Sequence, residues 1–218
     1  MASKIERSRT RPPEVDERVS MKIAFFDFDG TITTRDSFID FLIYATGYLN
    51  FILGILILSP ALLAFKCNLI PNWRAKEIVL SHFFKSWDLE EFRALASKYA
   101  RERLPRIIRT TSMQRIAWHK SQGDRVVVVT AAIDCWIIDW CDRHGLDLLA
   151  TRLEVADGRL TGRLATKNCY GQEKVRRIKA AYNLEEFSQI YAYGDSPGDS
   201  EMLALADCAT VVSGKRTI

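Results

Sequence analysis

Two aspartates stand directly after an apolar run near the start of the chain, in KIAFFDFDGTITTRDSF, residues 22–38. Asp27 and Asp29 are two positions apart, and Gly30 follows them. Removing an ionised carboxylate from water is costly, so a buried strand does not end in two of them without compensation. A metal ion or a proton-transfer role supplies such compensation. This pair is therefore the first candidate for chemistry.

Polar residues also close two later apolar runs. The run of four valines in DRVVVVT ends at Thr130, and SQIYAYGD ends at Asp195. In open parallel sheets, functional residues gather at the carboxyl ends of the strands. Three strand ends from separate parts of the chain therefore predict one site that contains Asp27, Thr130 and Asp195.

The spacing of apolar residues predicts the elements that position this site. Short apolar runs are typical of strands covered on both faces, and they lie at 22–27, 124–130, 188–195 and 207–212. Helical periodicity lies between them, as in IDCWIIDWCDRHG and QEKVRRIKAAYN. The alternation indicates an α/β fold with a Rossmann-like parallel sheet flanked by helices. Residues 151–164 alternate around Asp157-Gly158, which predicts a β-hairpin.

One long segment departs from this alternation. The pattern of residues 36–105 predicts helices inserted after the first core strand. We therefore expect a catalytic core of residues 21–35 and 106–218, with residues 36–105 as a helical cap. Residues 1–20 mix both charge signs with two prolines, which predicts a disordered tail. Met1 and Met21 both remain open as the first translated residue.

Four motifs, in order, resemble those of the haloacid dehalogenase-like superfamily, in its phosphoserine phosphatase-like branch. They are DFDGT (27–31), VVVVTAA (126–132), Lys174 in GQEKVRRI, and YGDSPGDSEML (193–203). The resemblance spans about residues 21–212. It implies a parallel α/β fold with a helical cap after the first strand, and a phosphatase that hydrolyses a phosphate monoester.

The resemblance assigns Asp27 as the nucleophile and Asp29 as the general acid and base. Elementary chemistry agrees, because a carboxylate that attacks phosphorus divides one difficult hydrolysis into two easier steps through an aspartyl-phosphate. Residues i and i+2 of an extended segment point the same way, so Asp29 has the offset needed to move protons beside Asp27.

Two anions must then be brought together, which favours a hard cation such as Mg²⁺. The resemblance implies Asp27, the backbone carbonyl of Asp29, and Asp195 as its protein ligands. Asp199 would bind it through water or orient the ligands. The residues implied to bind the substrate phosphate are Thr130, Ala131 and Lys174.

These residues also have structural interpretations. Asp29 and Asp199 can cap helices, Thr130 can simply end a strand, and Lys174 can be a solvated helical lysine. The motif context favours the functional interpretation of each. The histidines His82, His119 and His144 are interpreted as surface or packing residues.

The segment FLIYATGYLNFILGILILSPALLAF, residues 41–65, contains no charged residue. Three interpretations remain open for it. It forms a helical hairpin buried within the cap, lies in a membrane surface, or crosses the membrane as one helix. Gly47, Gly54 and Pro60 interrupt the segment.

The apolar cap bears on the substrate. By composition it resembles phosphatidylglycerophosphatase C, which implies a lipid or membrane-proximal phosphate such as phosphatidylglycerol phosphate. Phosphoserine or another small soluble phosphate is the alternative. Asp36 lies near the position at which phosphoserine phosphatases bind the substrate amine, although it can instead cap the first cap helix. Gly198 stands where those enzymes usually have Asn.

Composition limits the other classes. The chain has 218 residues with a formal net charge of +4, which is too mild to indicate nucleic acid as a partner. Its five cysteines form no CxxC pair, which indicates reduced thiols and a cytoplasmic protein. The apolar cap predicts a position at the inner face of the cell membrane. A non-catalytic membrane-associated binding protein is a remote alternative. Dehalogenation is disfavoured by Asp29. The sequence contains no heptads, and it leaves the oligomeric state open.

Overall fold

Seven strands lie in the part of the chain that the computed structural model describes, residues 21–212. They are β1 (Lys22–Phe26), β2 (Arg125–Ile133), β3 (Asp147–Thr151), β4 (Leu153–Ala156), β5 (Arg159–Leu164), β6 (Gln189–Gly194) and β7 (Cys208–Val211). Five of them form one parallel sheet in the order β3-β2-β1-β6-β7, and β4 and β5 form an antiparallel hairpin. The predicted α/β fold with a parallel sheet flanked by helices is confirmed.

Eight α-helices accompany these strands in the described range. They are α1 (Ser37–Thr46), α2 (Tyr48–Lys66), α3 (Asn72–Phe84), α4 (Leu89–Glu102), α5 (Thr110–Ser121), α6 (Ile138–His144), α7 (Gln172–Ala181) and α8 (Ser200–Ala204). The first four follow β1 and precede β2, in the segment for which an inserted cap was predicted. The exact division into core and cap stays a prediction, and the predicted tail lies outside the described residues.

The central strands are buried on both faces, which explains their continuous apolar sequences. Alternate residues of β1 and β2 pack into two separate clusters. Ile23 and Val127 belong to the cluster that includes Ile178 of α7, whereas Ala24 and Val128 belong to the cluster that includes α5, α6 and the helices α1–α4. The sheet is therefore a rigid support, and the carboxyl ends of its strands can hold side chains in place.

Three elements differ from the prediction. β3 was not predicted, because it is a short strand of five residues at the edge of the sheet. Most of these residues are only partly buried. β2 continues through a register shift beyond Thr130 to Ile133. The helix predicted over IDCWIIDWCDRHG is instead a short 3₁₀ turn, Asp134–Trp136, followed by α6, which ends at the left-handed Gly145.

A buried ionic contact joins the first and last helices of the inserted segment. Arg103 donates two hydrogen bonds to the Asp40 carboxylate at 2.8 and 3.1 Å, and the Tyr99 hydroxyl donates a third at 3.1 Å. Because Asp40 is only 4% exposed, these donors replace the water that its carboxylate loses on folding. They fix α1 against α4.

The hairpin packs on α3 and on the loop between α3 and α4. Ser86 N–H donates to Leu160 C=O at 2.8 Å, and Leu89 N–H donates to Gly158 C=O at 2.9 Å. The Glu77 carboxylate on α3 accepts from Leu164 N–H at 3.1 Å. The hairpin and the inserted helices are thus hydrogen-bonded to each other, although they are distant in sequence.

The apolar segment forms the end of α1, a break at Gly47, and most of α2. Gly54 and Pro60 lie inside α2 rather than interrupting it. Gly54 lets α2 approach α3, since a Cβ at this position would stand 2.2 Å from the Phe83 ring. Helix α2 is long and apolar enough to cross a membrane by length and composition alone, and only 11% of its most apolar window is buried. This exposure argues against a hairpin buried within the cap.

Candidate active site

The ends of β1, β2 and β6 bring the first candidate residues together. Phe26 lies opposite Val128 on one side and Tyr193 on the other, and Asp27 N–H donates to Tyr193 C=O at 2.9 Å. Asp27 therefore follows the end of β1, at the same end of the sheet as Thr130 of β2 and Asp195, which follows β6.

The loop after Asp27 turns sharply back on itself. Gly30 has φ +89°, a left-handed conformation that side chains with a Cβ disfavour, and its N–H donates to the Thr33 hydroxyl at 3.2 Å. The Thr31 hydroxyl donates to Asp195 at 3.4 Å. The loop thus connects the end of β1 to the end of β6.

Lys174 lies at the centre of the charged residues. Helix α7 begins after Gly171, and the Lys174 ammonium donates to Asp27 Oδ1 at 2.5 Å, to Asp199 Oδ1 at 2.6 Å and to Val129 C=O at 2.8 Å. Lys174 is 1% exposed, so this is a buried ammonium with two carboxylate partners. It is not the solvated helical lysine of the structural interpretation.

The electrostatics of Asp27, Lys174 and Asp199 follow from this burial. Burial raises the pKa of Asp27 to about 6, against the lowering effect of the Lys174 ammonium. Burial alone would lower the pKa of Lys174, but the two carboxylates outweigh it and raise that pKa to about 12. Burial likewise opposes ionisation of Asp199, but Lys174 outweighs it and keeps the pKa of Asp199 below its usual range. The Lys174 ammonium therefore favours the ionised form of both carboxylates.

Asp29 faces the same cleft but is held from the side of the inserted helices. Its carboxylate accepts from Ser37 N–H, at the start of α1, at 2.8 Å. Burial, with smaller contributions from the charges of Asp36 and Asp27, raises the pKa of Asp29 to about 8. Neighbouring carboxylates with separated pKa values suit one acid and one base.

Asp199 mainly orients its surroundings. Its Oδ2 accepts from Asp195 N–H at 3.1 Å, from Ser196 N–H at 2.9 Å and from the Ser196 hydroxyl at 2.8 Å. The Ser196 contacts form a capping box for the turn Pro197–Asp199, so the helix-capping interpretation of Asp199 also applies. Gly194 is needed beside it, since a Cβ there would stand 2.5 Å from the Asp199 Cβ.

The donor set fits a hard divalent cation. Asp27, Asp195 and Asp199 each offer a carboxylate oxygen, and these atoms lie within 4.8 Å of one another. The Lys174 ammonium contacts Asp27 and Asp199, and carboxylate oxygens grouped this closely are suited to a hard divalent cation. All these donors are oxygen atoms, which suits Mg²⁺ better than a softer metal.

The phosphate-binding candidates lie on the β2 side of the cleft. Thr130 is buried, and its hydroxyl accepts from Ala132 N–H at 3.0 Å, within the register shift of β2 that contains Ala131. Lys76 on α3 reaches this part of β2 and donates to Ala131 C=O at 2.7 Å and to Asn168 Oδ1 at 3.0 Å. Sequence reasoning missed Lys76, because it lies in none of the motifs.

The prediction about the substrate concerned two positions, Asp36 and Gly198. Asp36 caps α1, accepting from Phe38 N–H at 2.9 Å and Ile39 N–H at 3.2 Å, and it also lines the cleft. Gly198 lies so close to the half-exposed Tyr170 that a Cβ at position 198 would be 2.2 Å from the Tyr170 ring. An Asn at 198 and the present Tyr170 position are therefore incompatible.

The cleft above these residues has a volume of about 530 Å³, within the usual range of ligand pockets. The ends of the sheet strands and α7 supply its polar floor. Helices α1, α2 and α3 supply mostly apolar walls, including Leu42, Phe51, Ile55, Leu62 and Val79. The cleft therefore joins a charged end to an apolar end.

The sequence is similar to that of known proteins. The sequence pattern of the haloacid dehalogenase-like hydrolases matches residues 24–204. The chain is 33% identical to protein CicA of Caulobacter vibrioides over 202 residues, covering 92% of this chain and 90% of that protein. It is 30% identical to a probable phosphatase of Mycobacterium tuberculosis over 200 residues, covering 88% of this chain and 69% of that protein.

Solved structures support the same fold. A Bordetella pertussis protein of unknown function superposes with a TM-score of 0.77 at 22% identity, covering 88% of this chain and 90% of that one. A phospho-aspartyl intermediate analogue of phosphoserine phosphatase superposes with a TM-score of 0.56 at 24% identity, covering 88% and 86%. The chain therefore belongs to the haloacid dehalogenase-like hydrolases.

Proposed function

We propose that the protein is a Mg²⁺-dependent phosphatase that hydrolyses a phosphate monoester through an aspartyl-phosphate at Asp27. The observation that carries this proposal is the buried contact of Asp27 with Lys174, at the floor of a cleft that also contains Asp29. An ionised carboxylate held by a fixed ammonium is ready to attack, and the same ammonium can contact an oxygen of the incoming phosphate.

In the first step an oxygen of Asp27 attacks phosphorus and the ester P–O bond breaks. Asp29 gives its proton to the leaving oxygen, so the alcohol departs neutral. In the second step Asp29 takes a proton from water, whose oxygen attacks the phosphorus of the aspartyl-phosphate, and phosphate leaves with Asp27 regenerated. The Ser37 N–H contact places Asp29 on the side of the inserted helices, toward which the alcohol would leave.

The ligands proposed for Mg²⁺ are Asp27, Asp195 and the backbone carbonyl of Asp29, with Asp199 orienting them. When bound, the cation would neutralise charge between Asp27 and the substrate phosphate. The proposed phosphate contacts are the Thr130 hydroxyl, the backbone N–H groups at the register shift of β2 around Ala131, and Lys174.

We further propose a lipid or membrane-proximal phosphate, such as phosphatidylglycerol phosphate, as the substrate. Apolar residues of α1, α2 and α3 line the cleft, and α2 exposes most of its uncharged surface. Such a surface is suited to contact with a membrane, which would place the enzyme at the inner face of the cell membrane. The apolar cap of phosphatidylglycerophosphatase C, similar in composition, points the same way.

A small soluble phosphate such as phosphoserine is the second candidate. Asp36 and Lys76 both line the cleft, and this pair offers one anion and one cation for an amino acid. The incompatibility between Tyr170 and an Asn at 198 weighs against close similarity to phosphoserine phosphatases at this position.

The test measures phosphate release with Mg²⁺ from phosphatidylglycerol phosphate in mixed micelles and from free phosphoserine. Asp27→Asn serves as the blank, and Asp157→Asn, at an exposed hairpin turn, serves as the matched control. A preference for the micellar substrate supports the lipid proposal, whereas a preference for phosphoserine supports the second candidate. Undiminished turnover by Asp27→Asn would refute the mechanism. Failure to hydrolyse these substrates or an aryl phosphate would favour a non-catalytic binding protein.

A further inference from the structure

Helix α2 presents a second apolar face toward the catalytic cleft. Phe51, Ile55, Leu58 and Leu62 recur at intervals of four, three and four residues, which is the spacing of one helical face. Phe51, Ile55 and Leu62 line the cleft, and Leu58 is buried beside them. The helix is therefore apolar on the side toward the active site as well as on its outer surface.

This inner face is not fully covered by other parts of the protein. Leu58 is 9% exposed, but Phe51, Ile55 and Leu62 are only partly buried. A helix face that served only to pack the inserted helices together would be buried along its length. The partly exposed residues of this face are the ones that line the cleft.

The opposite walls match this face in chemistry. Leu42 of α1 and Val79 of α3 contribute apolar surface, and no charged residue lies between Asp40 and Lys66 in the chain. The charged residues that line the cleft are Asp27, Asp29, Asp36, Lys76, Lys174 and Asp199, and none of them belongs to α2. A polar group would find no hydrogen-bonding side chain along the α2 wall, whereas an alkyl chain would be desolvated there.

We infer that the space between α1, α2 and α3 binds the alkyl chain of a phosphorylated amphiphile, with its phosphate at Asp27 and its chain along Phe51, Ile55 and Leu62. The inference rests on the proposed phosphatase function. The apolar walls and the residues proposed to bind phosphate belong to one continuous cleft, so a chain attached to a phosphate at Asp27 can lie along these walls. Binding the chain in this way does not require the enzyme to be adsorbed to a bilayer.

A series of n-alkyl phosphates from ethyl to octyl tests this inference, with each compound held below its micelle-forming concentration. We expect kcat/KM to rise by about twofold per methylene for half burial, and by up to about fourfold for full burial. The gain should come mainly through KM. Hydrolysis that is independent of chain length would overturn the inference and leave the phosphatase proposal standing, whereas no hydrolysis of any member would count against the phosphatase itself.

Neighbouring residues of α2 provide matched variants. Ile55→Gln places an amide on the wall of the cleft, whereas Leu56→Gln places the same amide on the exposed outer face. We expect the ratio of octyl to ethyl kcat/KM to fall at least tenfold in Ile55→Gln and to stay within about twofold of wild type in Leu56→Gln. Ile55→Leu should retain the ratio. Turnover of ethyl phosphate by each variant reports that it is folded.

Equal loss of the ratio in both glutamine variants, or loss in neither, would overturn the assignment of the chain to this wall of the cleft. Stronger turnover of octyl phosphate that survives Ile55→Gln would mean that the chain binds elsewhere.

Discussion

Lys174 offers the sharpest test of how the site is held together. Its ammonium lies within 2.6 Å of both Asp27 and Asp199 and is almost completely buried. Lys174→Met keeps much of the side-chain volume and removes the charge. Two buried carboxylates, 5% and 1% exposed, would then face each other without the cation between them.

The size of the effect follows from burial. Removing one partner of a buried ion pair costs about 3–5 kcal/mol, because the remaining charge has neither water nor a counterion. Here one ammonium serves two carboxylates, so we expect a loss of unfolding free energy toward the upper end of that range in the absence of divalent cations. Added Mg²⁺ should restore part of the loss, and it should stabilise the variant more than it stabilises the wild type.

Urea denaturation in EDTA and in Mg²⁺ measures both quantities. Lys179→Met is the matched control, because Lys179 is an exposed lysine on the same helix and its substitution should change stability by less than about 0.5 kcal/mol. A difference below about 1 kcal/mol between the two variants in EDTA would refute the view that Lys174 neutralises both carboxylates.

Three further predictions concern other parts of the molecule. Asp29→Asn should lower kcat by about 10²–10⁴-fold with little change in KM, because it removes the group proposed to move protons; steady-state kinetics that show an unchanged kcat would exclude this role. Gly198→Asn should cost about 1–3 kcal/mol of unfolding free energy by displacing Tyr170, and less in a Tyr170→Ala background; equal costs in the two backgrounds would contradict the contact. Burial lowers the pKa of His119, whose ring nitrogens contact Asp124 at 2.7 Å and the hydroxyl of Tyr193 at 2.8 Å, so the folded protein holds His119 neutral. Its contribution to stability should be complete above the unfolded-state pKa of about 6.5 and be lost as the pH falls through the lower folded-state pKa. The difference in unfolding free energy between wild type and His119→Gln should therefore shrink between pH 7.5 and pH 5, and a constant difference in urea titrations would contradict this.

The sheet could be predicted because its central strands are continuous apolar runs that end in polar residues. Asp27, Thr130 and Asp195 were expected together at the carboxyl ends of the strands, and the structure places them there. β3 escaped prediction because a short, partly buried edge strand has neither a continuous apolar run nor a clear alternation. The roles proposed for the site residues stay predictions until they are tested.

The surroundings of the site were harder to infer than its motifs. Lys76 lies 55 residues before Ala131 of β2, which it contacts, and nothing in its local sequence distinguishes it from other helical lysines. The exposure of α2 was also open, because a helix that is apolar on every side carries no periodic signal for which face is covered. Packing against α3 at Gly54 decides the orientation of α2, and this packing depends on residues far along the chain.

The hydrogen bonds between the hairpin and the inserted helices have a consequence for biosynthesis. Ser81 on α3 donates to Gly162 C=O on β5, and these residues are 81 positions apart. At about 5–20 residues per second, the ribosome would need about 4–16 s to make the second partner after the first. During that interval α2 and α3 would have left the ribosome without the strand on which α3 packs, so their apolar surfaces would be open to chaperones or to the membrane before the enzyme could fold.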